Sequence, residues 1–231
     1  MILEVITTSV RDAKLAQEYG ANRIELISGI TEGGVTPSYG LIEQIVHAVS
    51  IPVHVMVRPH ANSFCYDKDD LTVMSRDIRQ IRELGANGIV MGLLKQDKQI
   101  DISALETLLG EAGHLSVTFH RAFDELEDQM AGLKKLAEYP SVRRILTSGG
   151  KANVLDAELE IADLVKASTE LSLNILAGSG LSVDRLDDFI RRTGVQEVHM
   201  GTGVRVNHRA LEPIDRQKLQ AAATIISRYN H

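Results

Sequence analysis

The chain has 231 residues, 44 % apolar and 24 % charged, with a formal net charge of −6. Aromatics make up only 4 %, Trp is absent, and the lysines and arginines form no stripe, which excludes a basic nucleic-acid footprint. The single cysteine, Cys65, excludes an intrachain disulfide and any Cys-x-x-Cys zinc or redox motif.

Ile2–Ile6 reads as a first strand. No basic n-region or long apolar h-region precedes it, and no segment approaches 18 apolar residues, so the expected location is the cytoplasm, with no membrane partner. Val10–Tyr19 carries an apolar stripe and stops at Gly20, which predicts a helix. The strand Arg23–Ile27 leads into the loop Ser28–Pro37, long enough to fold over a neighbouring site. Thr36 is the expected N-cap and Pro37 the first turn of a helix over Ser38–Val49. The strand Val53–Val57 runs straight into Arg58-Pro59-His60. A second candidate lid follows over His60–Tyr66, with Phe64, Cys65 and Tyr66. A helix over Asp67–Leu84 ends at Gly85, a strand covers Gly88–Gly92, and a helix over Ser103–Ala112 ends at Gly113. The fifth strand, Leu115–Phe119, breaks off into His120, Arg121 and, three residues on, Asp124. The chain then alternates helix Asp128–Glu138, strand Arg144–Thr147, helix Asn153–Lys166, strand Leu173–Ala177, helix Val183–Arg192, strand Gln196–Met200 and helix Pro213–Arg228.

Eight strand–helix alternations predict a single-domain (β/α)8 TIM barrel over residues 1–231. An open doubly wound sheet is the alternative. Glu4 and Glu25 lie inside the first two strands, where an open sheet would bury them at a cost and a barrel lumen could supply partners.

Side chains alternate along a strand. His54, Met56 and Arg58 therefore share one face, as do Ser116, Thr118 and His120, and Glu197, His199 and Gly201. If these faces turn inward, they gather carboxylates, imidazoles and guanidinium at the carboxyl-end mouth, where barrels keep their sites. The candidate catalytic set is His120, Glu25, Glu4, Arg58 and Asp124, suited to acid–base work if their pKa values are driven apart. The bland alternative is a lumen-filling ion-pair network, with Asp124 a cap or an orienting partner for Arg121. The last three strands end in small residues: Ser148 and Gly149, then Gly178, Ser179 and Gly180, then Gly201 and Thr202. With Arg121 these are the candidate anion-binding residues, since glycine admits backbone N–H groups to a phosphate or carboxylate. Tight turns need glycine without any ligand, so a structural role is the alternative there too. Metal ligation has only scattered candidates, Cys65, His54 and His199, and the six methionines stand at core-like positions.

The chain closely resembles the CutC family, named for copper homeostasis. The resemblance rests on Leu3-Glu4-Val5, on Ala21-Asn22-Arg23-Ile24-Glu25-Leu26, and on Glu32-Gly33-Gly34-Val35-Thr36-Pro37-Ser38. It continues through Pro52-Val53-His54-Val55-Met56-Val57-Arg58-Pro59, Val117-Thr118-Phe119-His120-Arg121-Ala122-Phe123-Asp124 and Arg144-Ile145-Leu146-Thr147-Ser148-Gly149. It implies a (β/α)8 barrel, a cytoplasmic homo-oligomer, and copper binding or tolerance, with copper as the possible cofactor. The cysteines proposed as copper ligands in the family are Ile6 and Ile27 here. The residues themselves suit an enzyme of lyase, isomerase or hydrolase type acting on a small anionic or phosphorylated metabolite. A noncatalytic metabolite-binding or scaffold protein is the third expectation; its partner too would be a small molecule rather than nucleic acid or membrane.

Overall fold

A computed structural model describes residues 1–230. Eight strands pair in parallel in chain order: β1 (Ile2–Thr7), β2 (Arg23–Leu26), β3 (Val53–Met56), β4 (Gly88–Met91), β5 (Ser116–Phe119), β6 (Val142–Thr147), β7 (Asn174–Gly178) and β8 (Glu197–Met200). β8 returns to β1, with Glu4 beside His199, and closes the barrel. This closure rules out the open-sheet alternative. Eight helices alternate with the strands: α1 (Val10–Glu18), α2 (Tyr39–Ala48), α3 (Lys68–Glu83), α4 (Ile102–Ala112), α5 (Gln129–Leu136), α6 (Glu158–Ser168), α7 (Val183–Thr193) and α8 (Arg216–Ser227). None of the described helices is long and apolar enough to cross a membrane.

Strand alternation divides the barrel into two interiors. Leu3, Val5, Ile24 and Leu26 face outward and are fully buried beneath the helices. Glu4, Arg23 and Glu25 face the lumen from the same two strands and are also buried. Above these polar residues, Ile27, Met56 and Val90 form a small apolar cluster of their own, joined by Ile6 and Ile30. The lumen is therefore polar below and apolar above, and the polar part needs internal partners.

Three helix starts differ from the sequence reading. α2 is capped by Ser38, whose hydroxyl accepts from the Leu41 amide, and Thr36 is not its cap. Thr36 instead pairs with Arg58: its Oγ1 accepts from the Arg58 amide at 2.9 Å, and its own amide donates to the Arg58 carbonyl. α6 begins at Glu158 rather than at Asn153, because Asn153 caps a separate 3-10 turn over Val154–Asp156. α8 begins at Arg216, after Asp215, whose carboxylate accepts from the amides of Gln217 and Lys218. For α2 and α8 a side-chain capping bond sets the start, whereas α6 follows directly on the 3-10 turn with Ala157 at its N-cap.

Candidate functional site

The lower lumen is a closed ion-pair network. Arg23 donates through Nε to Glu4, and through Nη2 to Glu197 Oε2 at 2.6 Å. Arg144 reaches the same Glu197 oxygen at 3.1 Å and Ser116 Oγ at 3.0 Å. Asn174 donates to the other Glu197 oxygen at 3.0 Å. Two guanidiniums and two carboxylates thus balance within a few ångströms, which is how buried charge is tolerated. His54 borders this network and is buried. Burial pushes its pKa down to about 3, with Arg144 and Arg23 adding to the effect against Glu4, so the ring is neutral. Neither Arg23 nor Arg144 stood out in the sequence, because an isolated arginine in a strand carries no sign of the partner it meets across the barrel.

One layer higher, His199 lies between two carboxylates. Its Nδ1 is 2.8 Å from Glu4 Oε1, and its Nε2 is 3.7 Å from Glu25 Oε2. Burial alone would raise the Glu4 carboxyl, but Arg23 and His199 outweigh it and hold Glu4 well below the usual range. Glu25 has no such arginine in contact, and burial pushes its pKa up to about 7. Burial lowers His199, yet Glu25 and Glu4 together leave it raised. The two carboxylates proposed from sequence therefore divide: Glu4 is held as an anion, whereas burial raises Glu25.

Glu25 and His199 border a cavity of about 250 Å³ at the carboxyl-end mouth. Ile6, Ile27, Met56, Leu146 and Leu181 form apolar walls. Arg58, His120 and Phe64 stand at the rim, and Ser179, Gly180, Thr202 and Gly203 contribute from the loops after β7 and β8. Both expected lids are drawn to Arg58. Its Nη1 donates to the carbonyls of Glu32 and Gly34 at 3.2 and 3.1 Å, and its Nη2 to that of Ala61 at 3.3 Å. Its guanidinium also sits 4.7 Å over the Phe64 ring. No carboxylate among the described residues forms an ion pair with it, although it is buried. The Phe64 ring in turn lies 4.8 Å from the His120 ring.

His120 has a defined tautomer. Its Nδ1 accepts from the Ala122 amide at 3.1 Å, so the proton of the neutral ring resides on Nε2. That Nε2 is buried and has no partner. Burial, reinforced by Arg58, pushes the pKa down to about 3. His120 can therefore donate a hydrogen bond into the cavity, and it is not poised to act as a base.

The remaining sequence candidates are placed unequally. Asp124 lies off the cavity and organises the β6 turn: it accepts from Thr147 Oγ1 and from the amide and hydroxyl of Ser148, and pairs with Arg121 at 2.8 Å. Arg121 does line the cavity, and it also donates to Ser148 Oγ at 2.9 Å. Gly149 and Gly178 are packing positions away from the lining; a Cβ on Gly149 would lie 2.7 Å from Ala157 Cβ. Gly180, Gly201 and Gly203 are on the cavity, yet close packing already demands glycine there. A Cβ on Gly203 would stand 2.1 Å from the Leu181 carbonyl oxygen.

A sequence profile of the CutC family matches residues 1–204. This chain belongs to the CutC family. A CutC-family protein of Yersinia pestis (strain Pestoides F) is 45 % identical over 204 residues, 87 % of this chain and 78 % of that protein. The crystal structure of a putative copper homeostasis protein CutC from Streptococcus agalactiae superposes with a TM-score of 0.81 at 30 % identity, over 86 % of this chain and 97 % of that one. A phosphoribosyl anthranilate isomerase from Thermococcus kodakaraensis shares the barrel at TM-score 0.65 and 16 % identity, over 97 % and 98 % of the two chains; that likeness concerns the fold alone.

The clustered donors of this CutC chain suit Cu(I) poorly, and Met56 is the one thioether on the cavity lining. Glu4, Glu25 and His199 form the only cluster of three metal-capable side chains among the described residues, and all are nitrogen or oxygen donors. Cu(I) prefers thiolate and thioether. Glu4 is moreover engaged by Arg23 and by His199 Nδ1, which leaves two donors. Cys65 belongs to no such cluster; its amide and carbonyl meet Ser63 Oγ within the second lid. Ile6 and Ile27, where the family resemblance places copper-binding cysteines, are apolar cavity wall.

Proposed function

We propose that this CutC-family protein is an acid–base enzyme acting on a small anionic or phosphorylated metabolite at the barrel mouth. One observation carries the reading. Glu25 Oε1 and His120 Nε2 are both buried without partners on a single cavity, beside an arginine with no carboxylate to balance it. Buried polar groups are normally satisfied, and orphaning several around one void is costly unless a ligand completes them. Arg58, assisted by Arg121, supplies the positive field for the anion, and the loops bearing Ser179, Gly180 and Thr202 receive its polar end. Glu25 exchanges the proton. Glu4 acts through His199 as a positioning group, and Asp124 fixes Arg121.

A CutC-like role in copper homeostasis is the expectation that the family name carries. The streptococcal neighbour's name supports it, the donor chemistry here does not, and no step of the proposed chemistry runs through copper. The expected cytoplasmic location rests on the sequence reading and the family resemblance, and self-association on the resemblance alone.

Two titrations of the reduced, anaerobic protein test the proposal. With Cu(I) and a competing chromophoric chelator, the metal is expected to remain with the chelator. With inorganic phosphate, followed by heteronuclear NMR, shifts are expected at Arg58, Gly180 and Thr202. Stoichiometric retention of Cu(I) together with silence towards phosphate would replace the enzyme reading by metal handling.

A further inference from the structure

Among the groups on the cavity, Glu25 is the proton acceptor with a free oxygen; His199, the titratable group beside it, has its Nδ1 on Glu4 and its Nε2 turned to Glu25. His120 Nδ1 is occupied by the Ala122 amide, and its Nε2 is a donor. The Glu4 carboxylate stands behind His199 and off the lining. Of the hydroxyls on the lining, Ser179 donates its Oγ proton to the Ala152 carbonyl at 2.8 Å and so has no base to activate it as a nucleophile. A carboxylate base and a neutral imidazole donor on one cavity suit the relocation of a proton next to a carbonyl. Resting on the acid–base reading above, we infer that the cavity takes a small carbonyl compound bearing an anionic group, and that Glu25 and His120 enolise it between them.

The electron balance closes without a co-reactant. Glu25 Oε1 removes a proton from the carbon beside the carbonyl. The C–H electron pair becomes a C=C bond, and the carbonyl π pair moves to oxygen. The Nε2–H of His120 stabilises that developing oxyanion as a preorganised donor. With a hydroxyl on the deprotonated carbon, that hydroxyl's proton passes to the oxyanion and its oxygen pair forms the new C=O. The C=C pair takes the proton back from Glu25 at the former carbonyl carbon, giving an isomerised α-hydroxy carbonyl product. A neutral imidazole suits this role because its donor strength is matched to an enolate, and burial beside Arg58 holds the His120 pKa at about 3. The apolar walls of Ile6, Ile27, Met56 and Leu146 give the enolate less polar surroundings than bulk water. A void of about 250 Å³, set against the ~30 Å³ share of one water, holds on the order of ten non-hydrogen atoms. That is the size of a short-chain carbonyl compound with one phosphate.

Phosphoglycolohydroxamate, a planar mimic of an enediolate, and 2-phosphoglycolate, its carboxylate counterpart, separate this inference from the broader one. The hydroxamate is expected to bind about a hundredfold tighter than phosphoglycolate. His120→Gln is expected to erase most of that gain while leaving phosphoglycolate binding within a few-fold. Equal binding of the two probes would overturn enolisation and leave the anionic-metabolite reading standing. Binding of neither would overturn both. Nitrogen-15 imidazole shifts of the wild-type protein serve if the variant does not fold. His120 is expected to be neutral with its proton on Nε2 at pH 7, and its Nε2 resonance to move on adding the hydroxamate. A proton on Nδ1, or an imidazolium, would sink the inference without any variant.

Discussion

Two arginines of the lumen show how the same side chain takes opposite roles. Arg23 meets two carboxylates and leaves nothing for a ligand, whereas Arg58 meets only carbonyls and an aromatic face. The first is structural and the second faces the cavity with uncompensated charge. Replacing Arg23 by leucine leaves Glu4 with His199 alone and Glu197 with Arg144 and Asn174, and breaking a buried pair in this way costs about 3–5 kcal/mol. Urea denaturation of Arg23→Leu is expected to show a loss of that order; a change below about 1 kcal/mol would mean that the network is not a compensated unit. At this scale the sequence located Glu25, Arg58 and His120, because charge at the end of or within an apolar strand is conspicuous. It assigned Asp124 to the same pocket, since three residues along the chain look adjacent whether or not the intervening turn carries the side chain away. The 3-10 turn Arg121–Glu125 does carry it away, to the start of the β6 loop.

At the level of elements, β4 has a role that its composition hardly suggests. Its lumen-facing positions are Gly88, Val90 and Gly92, so it presents almost no side chain inward. A Cβ on Gly88 would lie 2.8 Å from the His54 ring, and one on Gly92 would lie 2.5 Å from His120 Nδ1. The bare strand is the space into which the two imidazoles fold. Gly92→Ala is therefore expected to displace the His120 ring at an overpacking cost of about 1–3 kcal/mol. A thermal scan and the His120 imidazole shifts check this together; an unaltered ring environment would show that β4 yields instead. The lids obey a similar logic. Thr36 has the composition of a helix cap, yet its hydroxyl is consumed by the Arg58 amide, and the neighbouring Ser38 caps α2. Capping preferences identify the residue types at a helix start but cannot rank two hydroxyls two residues apart when one has a competing tertiary partner.

For the whole molecule, the buried titratable groups give stability a pH dependence with a definite sign. His54 and His120 have native pKa values of about 3, below the unfolded value of about 6.5. Their contribution is complete above pH 6.5 and is lost as pH falls towards 3, at about 1.4 kcal/mol per pH unit for each ring. Glu4, held low by Arg23 and His199 against its burial, adds to the same acid limb below its unfolded value. Glu25, raised to about 7, works in the opposite direction: its contribution is full below its unfolded value and fades as pH rises through 7. Unfolding free energy is thus expected to climb from pH 4 to about 6.5 and to level or decline above 7. Denaturant melts across this range check it, and His54→Gln is expected to flatten the acid limb by about one ring's share. A profile unchanged between pH 7 and 4 would contradict the burial of neutral imidazoles. The barrel as a whole was legible in the chain because eight apolar strand runs alternate with helix-length segments bounded by glycine stops and caps, and those are local signals. Strand alternation likewise determined which face each polar residue takes. Only tertiary closure decided what those faces meet: that Arg23 and Arg144 neutralise Glu197, that His199 separates Glu4 from Glu25, and that His120 Nε2 and Glu25 Oε1 are left without partners on one cavity. These pairings join strands far apart in the chain, and the partner across a lumen is fixed by barrel register, which no local stretch of sequence encodes.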